Sequence, residues 1–304
     1  MSITQRRVLV VGATGQLGGA VTRRLLETGH QVRALGRNPQ KLAALRALGA
    51  EIAAGDLLDA DFVSGACADV DQVFTTANNA MGSGASSPNR VDRRAYENIC
   101  RAMREQGVSR IVHVSAQDLG GAKSPVDFFR VKQEVDALIR GCGVPWVLLA
   151  PTVLMETWVE TLIGDAVRQG KPVMLFGDGK TRANFIAVDD VAEYALRVLD
   201  DPTIQNEWIE LGGPTTCSFA DVASVIERRL GAKSKRRHMP LGVLRAGMVA
   251  LRPFHEMGSR LMAMGYYTAT LSDAFTNWQP TATRFGVAPM TVEQFVDRKF
   301  APPA

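Results

Sequence analysis

Over the first 150 positions, apolar residues fall into short continuous runs, each followed at once by a stretch that repeats every three or four residues. Arg7 to Val11 is a β-branched run closed by glycine, the pattern of a strand buried on both faces. Leu17, Val21 and Leu25 then recur at helical spacing between Gln16 and Thr28, and Gly29 stands where a left-handed helix end wants it. Gln31 to Leu35 reads as a second strand. Asn38-Pro39 offers an N-cap with proline at the first helical position; Leu42, Leu45 and Leu48 share a face, and Gly49 closes that helix. The alternation continues through a strand at Glu51 to Ala54, a short helix near Asp59 to Cys67, a strand at Gln72 to Thr75 and a helix at Val91 to Gln106. Strands at Arg110 to Val114 and Pro145 to Ala150 complete it. Such alternation predicts an α/β class with a doubly wound parallel sheet over residues 1–150.

Past Ala150 the beat loosens, with Gly164, Gly170, Pro172, Gly177 and Gly179 cutting the chain into short pieces. A smaller C-terminal α/β subdomain is expected over 151–304, covering the substrate, with about 184–200 packing back on the core. Two helix starts stand out there: Asp189-Asp190 ahead of Val191, Ala195 and Leu199, and Ser218 with Asp221 three residues on. Leu241 to Leu271 is rich in Leu, Met and aromatics but interrupted by Arg245, Arg252, Pro253, His255, Glu256 and Arg260. It reads as helices covering a pocket, with association at a membrane surface the lesser alternative.

Composition narrows the classes further. Hydrophobic residues make up 46% of the 304, enough for a packed core, which rules out disorder and collagen. The longest uncharged apolar stretch, Gly141 to Met155, is too short to span a bilayer, and charges run from the N-terminus straight into the first strand, so a cytoplasmic address is expected. Cys67, Cys100, Cys142 and Cys217 are scattered with no C-x-x-C pair, which argues against a disulfide framework or a zinc site and leaves them as core filler. A net charge of +4 implies no nucleic-acid partner. The densest basic cluster, Lys233, Lys235, Arg236, Arg237 and His238, has no interleaved aromatics and reads as a solvated loop in preference to a phosphate-binding patch.

The most informative local pattern follows the first strand. Gly12-Ala13-Thr14-Gly15-Gln16-Leu17-Gly18-Gly19 has G-x-x-G-x-x-G spacing at the opening of a helix. The turn must reverse tightly, the backbone must approach a pyrophosphate with no Cβ in the way, and the helix must pack close to the sheet; each need falls on a glycine. Free N–H groups and the positive helix end supply the anion site. Gly12, Thr14, Gly15, Gln16, Leu17 and Gly18 are therefore candidate dinucleotide ligands. At the end of the second strand, where an NAD site usually carries a carboxylate, the chain reads Val32-Arg33-Ala34-Leu35-Gly36-Arg37-Asn38. Arg37 suits a charge-assisted contact with a 2′-phosphate, so NADP(H) is expected over NAD(H), with Lys41 adding to the field. Asp56 and Leu57, after the third strand, are candidates to lie along the adenine. Asn78 and Asn79, after the fourth, would line the nicotinamide half or simply form a turn.

With these residues in place, the chain resembles the NmrA-like branch of the atypical short-chain dehydrogenase/reductases over all but its last few residues. The resemblance rests on VLVVGATGQLGG at 8–19, VRALGRNP at 32–39, AGDLLD at 54–59, GVPWVLLAPTVLMET at 143–157, FGDGKTRANFIAVDDVAEYAL at 176–196 and LGGPTTCSFADVASVI at 211–226. It implies an NAD(P)-binding Rossmann fold and either reduction of small carbonyl, enone, quinone or imine compounds or cofactor binding without turnover. An ordinary member of the wider superfamily uses a serine after the fifth strand and a Tyr-x-x-x-Lys on the next helix. Ser115 and Lys132 match two of these and are the candidate catalytic residues, but Phe128 stands where the tyrosine would be.

Phe128 cannot move a proton and instead completes an apolar face with Val131, Val135 and Leu138. The leading expectation is an NADPH-dependent reductase, acting by hydride transfer on a small, fairly apolar, electron-poor acceptor in the cleft under the second subdomain. Its proton would come from water, Lys132, Gln117 or Asp118. The alternative is an NADP(H)-binding redox sensor without turnover, and a monomer or a homodimer fits either. His113 reads as a core histidine. Met155 and Trp158, with Met262, Met264, Tyr266 and Tyr267, form either an apolar substrate wall or core.

Overall fold

Buried β-branched runs and the helices between them build the first unit of the chain. The computed structural model describes residues 5–79, 82, 84, 87–117, 126–270, 275 and 277–301. Elements follow in order as β1 (Arg7–Val11), α1 (Gln16–Glu27), β2 (Gln31–Gly36), α2 (Pro39–Ala47), β3 (Glu51–Ala54), α3 (Ala60–Cys67), β4 (Gln72–Thr75), α4 (Pro88–Glu105), β5 (Arg110–Val114), α5 (Asp127–Arg140) and β6 (Trp146–Pro151). The local signals act as expected where Asn38 caps α2 by accepting from the Lys41 amide and where Gly29 and Gly49 take positive φ at helix ends; the structure adds Asp59 as the cap of α3.

Strands β1 to β6 pair in parallel in the spatial order β6-β5-β4-β1-β2-β3, with β10 (Glu207–Leu211) beside β6. The order reverses between β1 and β4, which is where an open α/β sheet offers a binding crevice. β4 and β5 are buried at every position, as both-face coverage demands.

The chain divides into two compact units, residues 1–150 with 191–209, and residues 151–190 with 210–304. Arg110 ties the returning segment into the first unit. Its buried guanidinium donates to the carbonyls of Val198 and Leu199, in the last turn of α7 (Val188–Asp200), and to those of Asp201 and Ile204 just beyond it.

The second unit has its own core around Met155, Val159, Phe185, Val222 and Phe295. After β7 (Val153–Leu154), a π-helical stretch (Glu156–Gly164) runs into α6 (Asp165–Arg168), followed by β8 (Val173–Phe176) and β9 (Arg182–Ile186). Beyond α7 and β10 come β11 (Thr215–Ser218), α8 (Phe219–Leu230), β12 (Arg236–Met239), α9 (Leu241–Ala250), α10 (Glu256–Thr270), α11 (Gln279–Phe285) and α12 (Val292–Lys299). Ser218 and Asp221 form the expected capping box. One expectation fails in part: Lys233 and Lys235 lie in an exposed loop, but Arg236–Met239 pairs in parallel with β8 and Arg236 is held by Glu227 at 2.7 Å. Among the described residues, no helix is long and apolar enough to cross a membrane.

Candidate nucleotide-binding and catalytic site

Because β1 to β5 are parallel, the segments after them emerge at one edge of the sheet, and the expected site residues lie on those segments. Gly12 sits at φ +86°, a conformation that L side chains avoid, and its N–H and that of Ala13 both donate to Leu35 O at 3.2 Å. The glycine turn is thereby tied to the end of β2. Gly18 answers a harder constraint, since a Cβ there would lie 2.2 Å from Gly12 O and α1 could not start this close to the turn. The first turn of α1 has neither a side-chain cap nor an acid. Its opening N–H groups, on Gln16, Leu17 and Gly18, face the helix end with no carboxylate to neutralise the positive dipole, which suits a diphosphate.

Two arginines belong to β2 and its end, and they differ. Arg33 is committed, donating to Glu51 Oε1 and to the carbonyls of Ala66 and Ala68 at 2.7–2.8 Å. Arg37 is exposed, and no described residue engages its guanidinium. Asp56 follows β3, which is joined to β2 by Gly55 N donating to Gly36 O. One oxygen of the exposed Asp56 accepts from the Leu58 amide at 3.0 Å in a local turn, while Leu57 O accepts from Asn98 at 2.9 Å. Asn78, after β4, donates to Thr76 O at 3.3 Å, the turn-forming alternative.

At the end of β5, Lys132 Nζ donates to Val114 O at 2.8 Å, and burial lowers its pKa below the ordinary lysine range despite the carboxylates of Asp136 and Asp92. Ser115 Oγ donates to Asp136 Oδ2 at 2.6 Å, a short charge-assisted bond. Both Ser115 and Lys132 line a cavity of about 320 Å³, together with Gln117, Phe129, Asp136 and Trp208. Phe128 is not part of the buried face of α5. That face is Val131, Val135, Asp136 and Ile139, so Phe128 is left half-buried at the rim, its ring centroid 5.6 Å from Lys132 Nζ. Asp118 lies outside the described residues.

Behind Ser115 lies a polar chain that sequence reading did not find. Asp136 Oδ1 is 3.7 Å from His113 Nε2, His113 Nδ1 is 3.2 Å from the Tyr96 hydroxyl, and that hydroxyl donates to Ala77 O at 2.8 Å and lies 2.9 Å from Thr75 Oγ1. All five side chains are buried. His113 is thus the core histidine expected, held neutral by burial and by the charge of Lys132, both of which push its pKa well down. The available signal was the Lys132-x-x-x-Asp136 spacing, which stacks an acid above the lysine on one helix face. Met155 belongs instead to the core of the second unit, and Trp158 stacks on Phe219 with centroids 5.2 Å apart, so core packing accounts for both.

Comparison with known proteins agrees with this geometry. The profile of the family described as NAD(P)H-binding matches residues 12–202, more than half of the chain. The NAD(P)H azoreductase of Xenophilus azovorans is 30% identical over 226 residues, 74% of each chain. The photosystem II assembly factor Ycf39 of Synechocystis is 24% identical over 303 residues, 97% of this chain and 90% of its own. Among solved structures, the NADPH-dependent quinone oxidoreductase QOR2 of Escherichia coli, complexed with NADPH, superposes with a TM-score of 0.76 at 20% identity, covering 96% of this chain and 99% of its own. A Rossmann sheet with a tight glycine turn after β1, and a family profile that starts on that turn, lead to one assignment: the chain belongs to the NAD(P)H-binding family of oxidoreductases, of the NmrA-like, atypical short-chain dehydrogenase/reductase type.

Proposed function

We propose that the protein is an NADPH-dependent reductase of a small, fairly apolar, electron-poor acceptor such as a quinone or an activated enone. The observation that carries this reading is the pairing of a diphosphate-ready glycine turn with an unengaged Arg37 one strand away, on the same sheet edge as Ser115 and Lys132. The peptide N–H groups at the start of α1 would hold the diphosphate, and Arg37 the 2′-phosphate that distinguishes NADPH. Lys132, with two ammonium protons left after its bond to Val114 O, would hold ribose hydroxyls. When bound, the coenzyme supplies a hydride.

The chain's own residues then have to position an acceptor and deliver a proton. Phe128 cannot donate one, which favours acceptors that stabilise negative charge unaided. Lys132 is the best-placed proton source: its depressed pKa makes the ammonium a stronger acid than a free lysine. Asp136 orients the Ser115 hydroxyl through their 2.6 Å bond and keeps a negative charge beside the ammonium.

The missing tyrosine also favours a second reading, a redox sensor that binds NADP(H) without turning it over, and the similarity to an assembly factor is in keeping with it. NADPH consumption across a panel of quinones and enones separates the two. Steady oxidation of NADPH with at least one acceptor class is expected. Tight coenzyme binding with no acceptor reduced would overturn the reductase in favour of the sensor.

A further inference from the structure

We infer that the α9–α10 hairpin, with the basic strand β12 that leads into it, docks on an anionic lipid surface. The observation is a helix that is apolar on its outward side as well as on its inner one, with Arg245 its single charge. Leu244, Met248 and Leu251 form its inner side, where Leu244 is fully buried, and α10 comes so close that a Cβ on Gly247 would lie 3.0 Å from Met262 Cγ. The opposite side, Val243, Ala246, Val249 and Ala250, is exposed. Val249 is 67% exposed, and Phe254 in the turn between the helices is 88% exposed. A helix of this kind is normally covered by protein or lipid.

Charge says which. From Lys233 to Leu261 the single acid is the half-buried Glu256. Arg236 is neutralised by Glu227, but no described carboxylate pairs with Lys233, Lys235, Arg237, Arg245 or Arg252, all of which are exposed. Across β12–β8, Arg237 stands opposite the exposed Met174. A second copy of the chain in a two-fold dimer would set this positive face against itself, which like charges oppose. Single-stranded nucleic acid stacks its bases on aromatic rings among the cations, and β12 has no Phe, Tyr or Trp, while the exposed apolar side of α9 offers a phosphate backbone nothing. An acyl boundary with anionic headgroups satisfies both features, apolar side chains entering the interface and lysines and arginines remaining among the phosphates.

The test is sedimentation of the full-length protein with vesicles of phosphatidylcholine alone or equimolar with phosphatidylglycerol. Pelleting with the anionic vesicles is expected, and neither neutral vesicles nor high salt should support it. Replacing Lys235 and Arg237 together by glutamine should weaken binding about thirtyfold, at about 1 kcal/mol for each charge near an anionic surface. Phe254→Asp should abolish it, with coenzyme affinity and unfolding midpoint unchanged because the side chain is exposed. Failure to pellet, equal pelleting on both vesicles, or indifference to both variants would overturn the inference. So would a dimer in light scattering that Phe254→Asp dissolves while the wild type ignores the vesicles.

Discussion

Gly18→Ala tests the physical basis of the nucleotide site, and its size follows from the structure. The added methyl would lie 2.2 Å from Gly12 O, 2.8 Å from Gly12 C and 3.0 Å from Ala13 Cα, all backbone atoms that cannot rotate away. Reaching ordinary contact needs the start of α1 to move about 1 Å off the turn. Overpacking of this kind costs about 1–3 kcal/mol, against which alanine returns up to about 1 kcal/mol in helix propensity. A net loss of up to about 3 kcal/mol follows, read as a lower unfolding midpoint in urea. The same movement takes the α1 amides from the diphosphate, so NADPH and NADH should both lose affinity by at least about tenfold, to the same extent, since the diphosphate is common to both. Gly19→Ala is the control: its methyl would lie 3.3 Å from Ala13 O, tight but far from the 2.2 Å clash, so stability and binding should fall much less than in Gly18→Ala. Unchanged coenzyme binding in Gly18→Ala, or equal damage from Gly19→Ala, would refute the reasoning.

Two further perturbations reach other parts of the account. Asp190 is buried and accepts from the Met290 amide at 3.0 Å; burial raises its pKa from 3.8 to about 6. Its raised pKa gives stability that is complete below about pH 4 and lost as pH rises through 6, so Asp190→Asn should be more stable than wild type by up to about 3 kcal/mol at pH 8 and gain nothing near pH 4. Thermal unfolding at the two pH values checks this, and a pH-independent difference would contradict it. Phe128→Tyr puts a hydroxyl on the helix turn before Lys132, whose Nζ is 5.6 Å from the present ring, and should raise carbonyl reduction by roughly tenfold or more. Turnover left at the wild-type level, with NADPH affinity intact, would show that the tyrosine position is out of register.

The sequence was most legible where one residue type answers one local need. Asn38-Pro39 and the Ser218–Asp221 box capped their helices as read, and Gly12 and Gly18 hold the turn by conformational and steric demands that no other residue meets. Legibility faded where the partner is distant in the chain. Arg236–Met239 carries the composition of a solvated loop and becomes a strand only because β8, more than fifty residues earlier, offers it an edge. Apart from its spacing to Lys132, nothing in the local sequence marks Asp136 out from the polar positions around it on α5. Its burial depends on Ser115 and His113, contributed by β5 and the residue after it, so only the assembled sheet and helix reveal the polar chain. Phe128 was assigned to the wrong face by one step of the helical wheel, because Phe128, Val131, Val135 and Leu138 describe nearly as good an apolar arc as the one that Val131, Val135 and Ile139 occupy.

The central claim is that backbone amides at the start of α1 grip a diphosphate while Arg37 selects the coenzyme with the extra phosphate. Calorimetric titration of the wild type and of Arg37→Ser with NADPH and NADH tests it most directly. The wild type should bind NADPH more tightly, and the variant should lose about 1.5–3 kcal/mol toward NADPH, the value of a charge-assisted contact, while its NADH affinity stays put. Equal affinities in the wild type, or no heat with either coenzyme, would contradict the account.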